Sequence, residues 1–149
     1  LLRAGADKVV IGAAARENPP LLTPLARRFG SQCLTVAIDA RVGYPWCETL
    51  MAVEDAGAGE ILLTRVEYDG ALGGYDLEMC RLARVGTILP LVLAGGAGTY
   101  EHLAAGLAAG ADAVAAGAMW QFTEQTPAGA ARYLAERGYP MRLPERIAA

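Results

Sequence analysis

Asp39 stands directly behind the apolar run Val36-Ala37-Ile38. A carboxylate at the end of a buried strand is costly unless it is hydrogen-bonded or opens onto solvent. In parallel α/β folds the C-terminal ends of strands are where ligands are met. No helix N-cap position follows at once, so Asp39 reads as a candidate general acid or base rather than a structural cap. A second carboxylate, Asp69, lies in the acidic, aromatic, glycine-rich stretch 65–76, behind an apolar run that ends at Thr64. Asp69-Gly70 by itself signals only a turn. Its place just past a strand end makes Asp69 a candidate to share acid and base roles with Asp39.

Two glycine turns follow the later apolar runs: Ala94-Gly95-Gly96-Ala97-Gly98, ahead of Thr99, and Ala116-Gly117-Ala118-Met119. Either alone could be a plain tight turn. As a pair behind consecutive strands they read as a phosphate site, because backbone N–H groups and a helix N-terminus can converge on an oxyanion there. Gly12-Ala13-Ala14-Ala15 carries no ionisable group and can only let a ligand approach the backbone. The sole histidine, His102, has apolar neighbours in a helical stretch and reads as packing or surface. Trp120 and Phe122 are expected to pack the final helix, and Tyr44 with Trp46 to lie near the mouth or to anchor a loop.

Apolar runs that could position these residues recur at 8–11, 34–38, 60–64, 89–93 and 113–116, with helical patterns between them. The runs are nearly continuous rather than alternating, as in parallel strands covered on both faces. Asn18-Pro19 and Thr126-Pro127 read as helix starts, Asp76 and Thr99 as N-caps, Gly30 and Gly138 as C-caps. Ala4-Gly5-Ala6-Asp7, Ala56-Gly57-Ala58-Gly59 and Ala109-Gly110-Ala111-Asp112 each precede a strand, at intervals of two βα units. A doubly wound open sheet could use the same turns. The doubled period favours a (β/α)8 barrel. Leu1 to Gly5 reads as the last turn of a helix closed by Gly5. The expectation is therefore one domain over residues 1–149, a portion of a TIM-type barrel covering about strands 4 to 8.

The 149 residues are 54% hydrophobic and 19% charged, which suits one globular domain. No apolar run is long enough for a membrane span and no signal-peptide pattern is visible. The three cysteines, Cys33, Cys47 and Cys80, are widely spaced and form no CxxC pair, which argues against a disulfide framework or a zinc site. A reducing cytoplasm is the expected compartment. The net charge of −3 and the lack of a basic cluster give no reason to expect nucleic acid.

With those residues in view, Gly5-Ala6-Asp7-Lys8-Val9, Glu17-Asn18-Pro19, Phe29-Gly30-Ser31-Gln32, Val36-Ala37-Ile38-Asp39-Ala40, Gly57 to Thr64, Asp69-Gly70, Gly74-Tyr75-Asp76 and Gly95-Gly96-Ala97-Gly98 resemble, in order, the cyclase subunit of imidazole glycerol phosphate synthase. The resemblance implies a (β/α)8 barrel of histidine biosynthesis; no cofactor is expected, and no metal, since no His/Cys/carboxylate cluster has ligand spacing. It implies a glutaminase partner whose ammonia crosses the barrel to a phosphorylated ribulosyl formimino substrate, giving imidazole glycerol phosphate and aminoimidazole carboxamide ribotide. Carried over, Asp39 is one of two catalytic aspartates, and Thr64 with Asp69 contacts substrate. Gly95, Gly96 and Gly117 match phosphate-binding positions. Lys8 and Glu60 match a charged ring admitting ammonia, and Asp7 an aspartate that docks the glutaminase.

The departures from that family are specific. Its other catalytic aspartate belongs to its first strand, outside this stretch, so the isolated chain is expected to be inactive. Val42 to Cys47 replaces a longer hairpin loop; Gly12-Ala13 stands where Asn-Thr is usual; Ala71, Ala94 and Ala118 stand at hydroxyl positions. Each lost hydroxyl costs about 0.5–1.5 kcal/mol of hydrogen bonding. These changes point toward a cyclase-like paralogue, a kind associated with ammonia-dependent amidation of polysaccharide sugars. A third expectation is a non-catalytic half-barrel that pairs with itself or with a first half through its open edge.

Overall fold

Every strand pairing among the described residues is parallel. The computed structural model describes residues 1–143 and contains a single five-stranded sheet, all parallel, in sequential order. The strands are β1 (Val9–Ile11), β2 (Leu34–Ala40), β3 (Glu60–Arg65), β4 (Leu91–Ala94) and β5 (Ala113–Val114). Between and after them run α1 (Ala13–Glu17), α2 (Leu22–Phe29), α3 (Trp46–Ala56), α4 (Leu77–Gly86), α5 (Tyr100–Ala108), α6 (Ala118–Phe122) and α7 (Pro127–Ala135). Consecutive parallel strands joined by helices, each strand beside its sequence neighbour, are the topology of a partial (β/α)8 barrel.

Register sorts the side chains into two faces. Thr35, Ala37 and Asp39 of β2 lie opposite Glu60, Leu62 and Thr64 of β3, and Leu62 and Thr64 lie opposite Val92 and Ala94 of β4. Because side chains alternate along a strand, these residues share one face of the sheet. The other face carries Val36, Ile38, Ile61, Leu63, Leu91 and Leu93, all fully buried under the helices. Strands covered on both faces were expected. Instead the first face is half-open, with Val10 60% exposed, because five strands do not curl far enough to close an interior.

Local chemistry explains most boundaries. The fourth apolar run was expected from residue 89, but β4 starts at Leu91 because Pro90 has no N–H for the ladder. The Pro90 carbonyl still accepts from the Ile61 amide at 2.9 Å. The three repeated Ala-Gly-Ala turns are one device, since Gly5, Gly57 and Gly110 all take left-handed backbone, with φ of 101°, 109° and 111°. Asp76 caps α4 by accepting from the Met79 amide at 2.9 Å, and Thr126 caps α7 by accepting from the Gly129 amide at 3.0 Å. Asn18-Pro19 opens a 3-10 turn over Pro19–Leu21 rather than α2 itself, which starts at Leu22.

Two expectations need correction. Thr99 makes no side-chain cap for α5; His102 Nδ1 accepts instead from the Gly98 amide at 3.1 Å, reaching back one turn to the glycine loop. Phe122 does not pack the final helix. It ends α6, where the chain turns off in extended backbone, and is 75% exposed, while Met119 and Trp120 take the inward positions.

Candidate functional site

The C-terminal edge of the open sheet face is a short row. Asp39 pairs in register with Thr64, and Thr64 with Ala94, so these residues stand on three adjacent strands about 4.8 Å apart. β2 runs through Asp39 to Ala40, past the expected end at Ile38. The carboxylate is therefore held by strand geometry rather than by a loop.

Arg16 is a site residue that sequence reasoning missed. Gly12 to Ala15, read above as small residues without an ionisable group, leads into α1, whose buried Ala15 pins it to the core. That turn brings Arg16 Nη1 to 2.8 Å from Asp39 Oδ2. Arg16, Glu17, Asp39, Arg41 and Tyr44 line a cleft of about 390 Å³ beside the edge of the sheet. Tyr44 is held by a 3.0 Å hydrogen bond between its hydroxyl and Thr49 Oγ1. Trp46, its neighbour, begins α3 and packs on the core instead of opening onto the cleft.

Behind β3 the chain is tied down by charge. Glu67 reaches Arg65 Nε at 2.8 Å and accepts from the Val42 amide at 2.9 Å, joining the loop after β2 to the loop after β3. Hydrogen bonds from the Val42 amide and from its own, aided by Arg65 and Arg41, hold the Glu67 carboxyl below its usual range. Asp69 follows the 3-10 turn Val66–Tyr68 and is exposed; it does not line the Asp39 cleft.

The glycine turn behind β4 is packed against this loop. Gly96 accepts from the Gly74 amide at 2.8 Å, and a Cβ on Gly96 would stand 2.1 Å from the Gly74 carbonyl oxygen. A Cβ on Gly95 would stand 2.9 Å from the Arg65 carbonyl oxygen. These glycines thus serve close backbone approach between two loops. Gly117, behind β5, is different: nothing lies within 4 Å of its Cβ position, and it precedes α6 as its N-cap. Tyr75, buried at 6% exposure, donates to the Ala115 carbonyl at 2.8 Å and so links the loop to the end of β5. Burial pushes its phenol well above the ordinary range.

At the opposite end of the same sheet face stands a second polar group. Lys8 Nζ lies 2.6 Å from Glu60 Oε2, and Glu60 Oε1 accepts from Thr35 Oγ1 at 2.8 Å. Burial raises the Glu60 carboxyl, but the Lys8 and Thr35 hydrogen bonds and the Lys8 charge outweigh it, and the net shift is downward. Asp7 is exposed beside Lys8. Between the two ends run Ala37, Leu62 and Val92, with no charge among them. Among the described residues no group of His, Cys, Asp and Glu could hold a metal ion, and no helix is long and apolar enough to cross a membrane.

Fold and site together define part of a (β/α)8 barrel, with its polar chemistry at the two ends of one sheet face. Residues 1–126 match the histidine biosynthesis protein family, and the chain belongs to that family. It is 42% identical to the imidazole glycerol phosphate synthase subunit HisF of Dictyoglomus thermophilum over 160 aligned positions, which cover 96% of this chain and 64% of that protein. The same subunit of Dictyoglomus turgidum is also 42% identical, with the same coverage. That of Pyrobaculum aerophilum is 42% identical over 96% of this chain and 63% of its own length. The chain therefore spans a little under two thirds of the curated relatives it matches.

Proposed function

We propose that this chain is the larger part of an ammonia-using cyclase that converts phosphoribulosyl formimino aminoimidazole carboxamide ribotide to imidazole glycerol phosphate and aminoimidazole carboxamide ribotide. One observation carries the reading. Asp39 and Thr64 lie at one end of the sheet face whose other end holds Lys8, Thr35 and Glu60, with an uncharged path between. Glu60 to Thr64 is four residues along one strand, roughly 13 Å. Ammonia admitted past the Lys8–Glu60 pair would meet apolar walls until it reached the Asp39 row.

In this reading Asp39 moves protons as ammonia adds to the ketose carbonyl and as the imidazole ring closes with loss of water. The family's second aspartate, outside residues 1–149, shares that work, so activity belongs to the longer protein. Thr64 and Asp69 contact the substrate. Gly95, Gly96 and Gly117 hold phosphate through backbone amides, and Gly117, with open space before it, is the best placed of the three. Asp7 belongs to the face on which a glutaminase subunit docks and supplies ammonia. A second reading, ammonia-dependent amidation of a polysaccharide sugar nucleotide, draws support from the short stretch Val42 to Cys47 behind Asp39 and from alanine at positions 71, 94 and 118.

The test is ammonia-dependent consumption of the ribulosyl substrate by the full-length protein, beside Asp39→Asn. Loss of about 10²- to 10⁴-fold in kcat in the variant is the expected result for a general acid–base residue. A folded wild-type protein that does not turn the substrate over would refute the cyclase reading and favour the second.

A further inference from the structure

We infer that Arg16 is a positioning residue for Asp39, fixing which oxygen of that carboxylate is free to exchange protons. The inference rests on the cyclase reading of Asp39 and deepens it.

The contact is one-sided. Arg16 Nη1 takes Asp39 Oδ2 at 2.8 Å, and this is the one hydrogen bond of the Asp39 carboxylate among the described residues. Oδ1 accepts no hydrogen bond among the described residues, and Asp39 lines the cleft. A guanidinium can engage both oxygens of a carboxylate in parallel, but here it engages one, which holds the group without occupying it. Of the two side chains Arg16 is the more enclosed, with 19% of its surface exposed against 41% for Asp39. Its backbone is set by the neighbouring Ala15, which is fully buried in the core.

Asp39 also has a competing cation. Arg41, two residues on, is exposed and lines the same cleft. A part-exposed aspartate in a cleft lined by two arginines can turn toward either, and the pair with Arg16 selects one direction. Arg16 thus acts through orientation: a carboxylate turned away from the reacting carbon by an ångström loses rate without losing substrate affinity.

The test uses the full-length protein with Arg16→Ala, Arg16→Lys and Asp39→Asn, measuring kcat and KM separately, with and without added guanidinium ion. A positioning role predicts a fall in kcat of about 10- to 100-fold for Arg16→Ala with KM within about twofold. Arg16→Lys should recover part of the loss. Guanidinium should restore activity to Arg16→Ala and none to Asp39→Asn. A rise in KM at unchanged kcat would show Arg16 binding substrate directly and overturn the inference, as would an unchanged kcat. A second measurement is independent of turnover: with carbon-13 in the aspartate carboxyls, the Asp39 resonance should move in Arg16→Ala and return on adding guanidinium. If the wild type turns nothing over, the cyclase reading fails while this resonance still decides the pairing. A resonance indifferent to Arg16 overturns the inference in either case.

Discussion

Replacing Gly96 by alanine probes the joint between the two loops at the mouth of the sheet. Gly96 sits at φ 110°, outside the region that residues with a Cβ ordinarily adopt. Holding a side-chain-bearing residue there costs about 1–3 kcal/mol. The added Cβ would also stand 2.1 Å from the Gly74 carbonyl oxygen and 3.2 Å from Tyr68 Cβ, and the first of these is backbone that cannot rotate away. Relieving the clash breaks the 2.8 Å hydrogen bond from the Gly74 amide to Gly96, worth about 1 kcal/mol more. Gly96→Ala should therefore destabilise by roughly 2–4 kcal/mol, a large share of the ~5–15 kcal/mol typical of a domain. Gly117→Ala is the paired control. No atom lies within 4 Å of its Cβ and its φ of −120° is ordinary, so it should cost about 0.5 kcal/mol or less. Urea unfolding of both variants, read by midpoint at constant slope, measures the two numbers. Inorganic phosphate titrated into the same samples reads the other half of the reasoning, since Gly117→Ala should weaken its binding while leaving stability intact. A Gly96→Ala within about 0.5 kcal/mol of wild type would refute the argument from close approach.

Three further outcomes can be checked with stability measurements. The Glu60 carboxyl lies below its ordinary value of 4.5 in the folded state, so its contribution is present above that pH and is lost as pH falls through the depressed value. Lys8→Met should then cost at most about 1 kcal/mol near neutrality, since Lys8 is half exposed, and the difference from wild type should fade in melts taken below pH 4.5. Tyr75→Phe leaves the Ala115 carbonyl without its 2.8 Å donor in a partly buried place and should lower stability by about 1 kcal/mol in urea unfolding. Asp76→Ala removes the cap on the Met79 amide and should cost about 1 kcal/mol, with a lower midpoint at an unchanged slope.

Most of the architecture was legible in the amino-acid order. Continuous apolar runs such as Val36-Ala37-Ile38 and Ile61-Leu62-Leu63 declare parallel strands, and the three Ala-Gly-Ala turns declare where a helix ends and the next strand begins. These are local properties, written in a few neighbouring residues by backbone freedom and hydrophobicity. Asp39 was conspicuous for the same reason: a charge behind a buried run needs an explanation that no neighbour provides.

Arg16, His102 and the Gly74–Gly96 contact were not legible, because each depends on distance across the fold. Arg16 lies 23 positions from Asp39, just after small residues that carry no ionisable group, and only the winding of α1 over the end of β1 brings the two together. The same holds for Lys8 and Glu60, separated by 52 positions. Their identities are in the chain, yet their pairing follows from the register of β1 on β2 and β2 on β3. Sequence by itself determined which segments become strands and helices, since those choices are made within a turn or two of backbone. Tertiary structure alone decided which charges meet, because a parallel sheet sets its partners by register across crossovers whose length the local pattern does not encode.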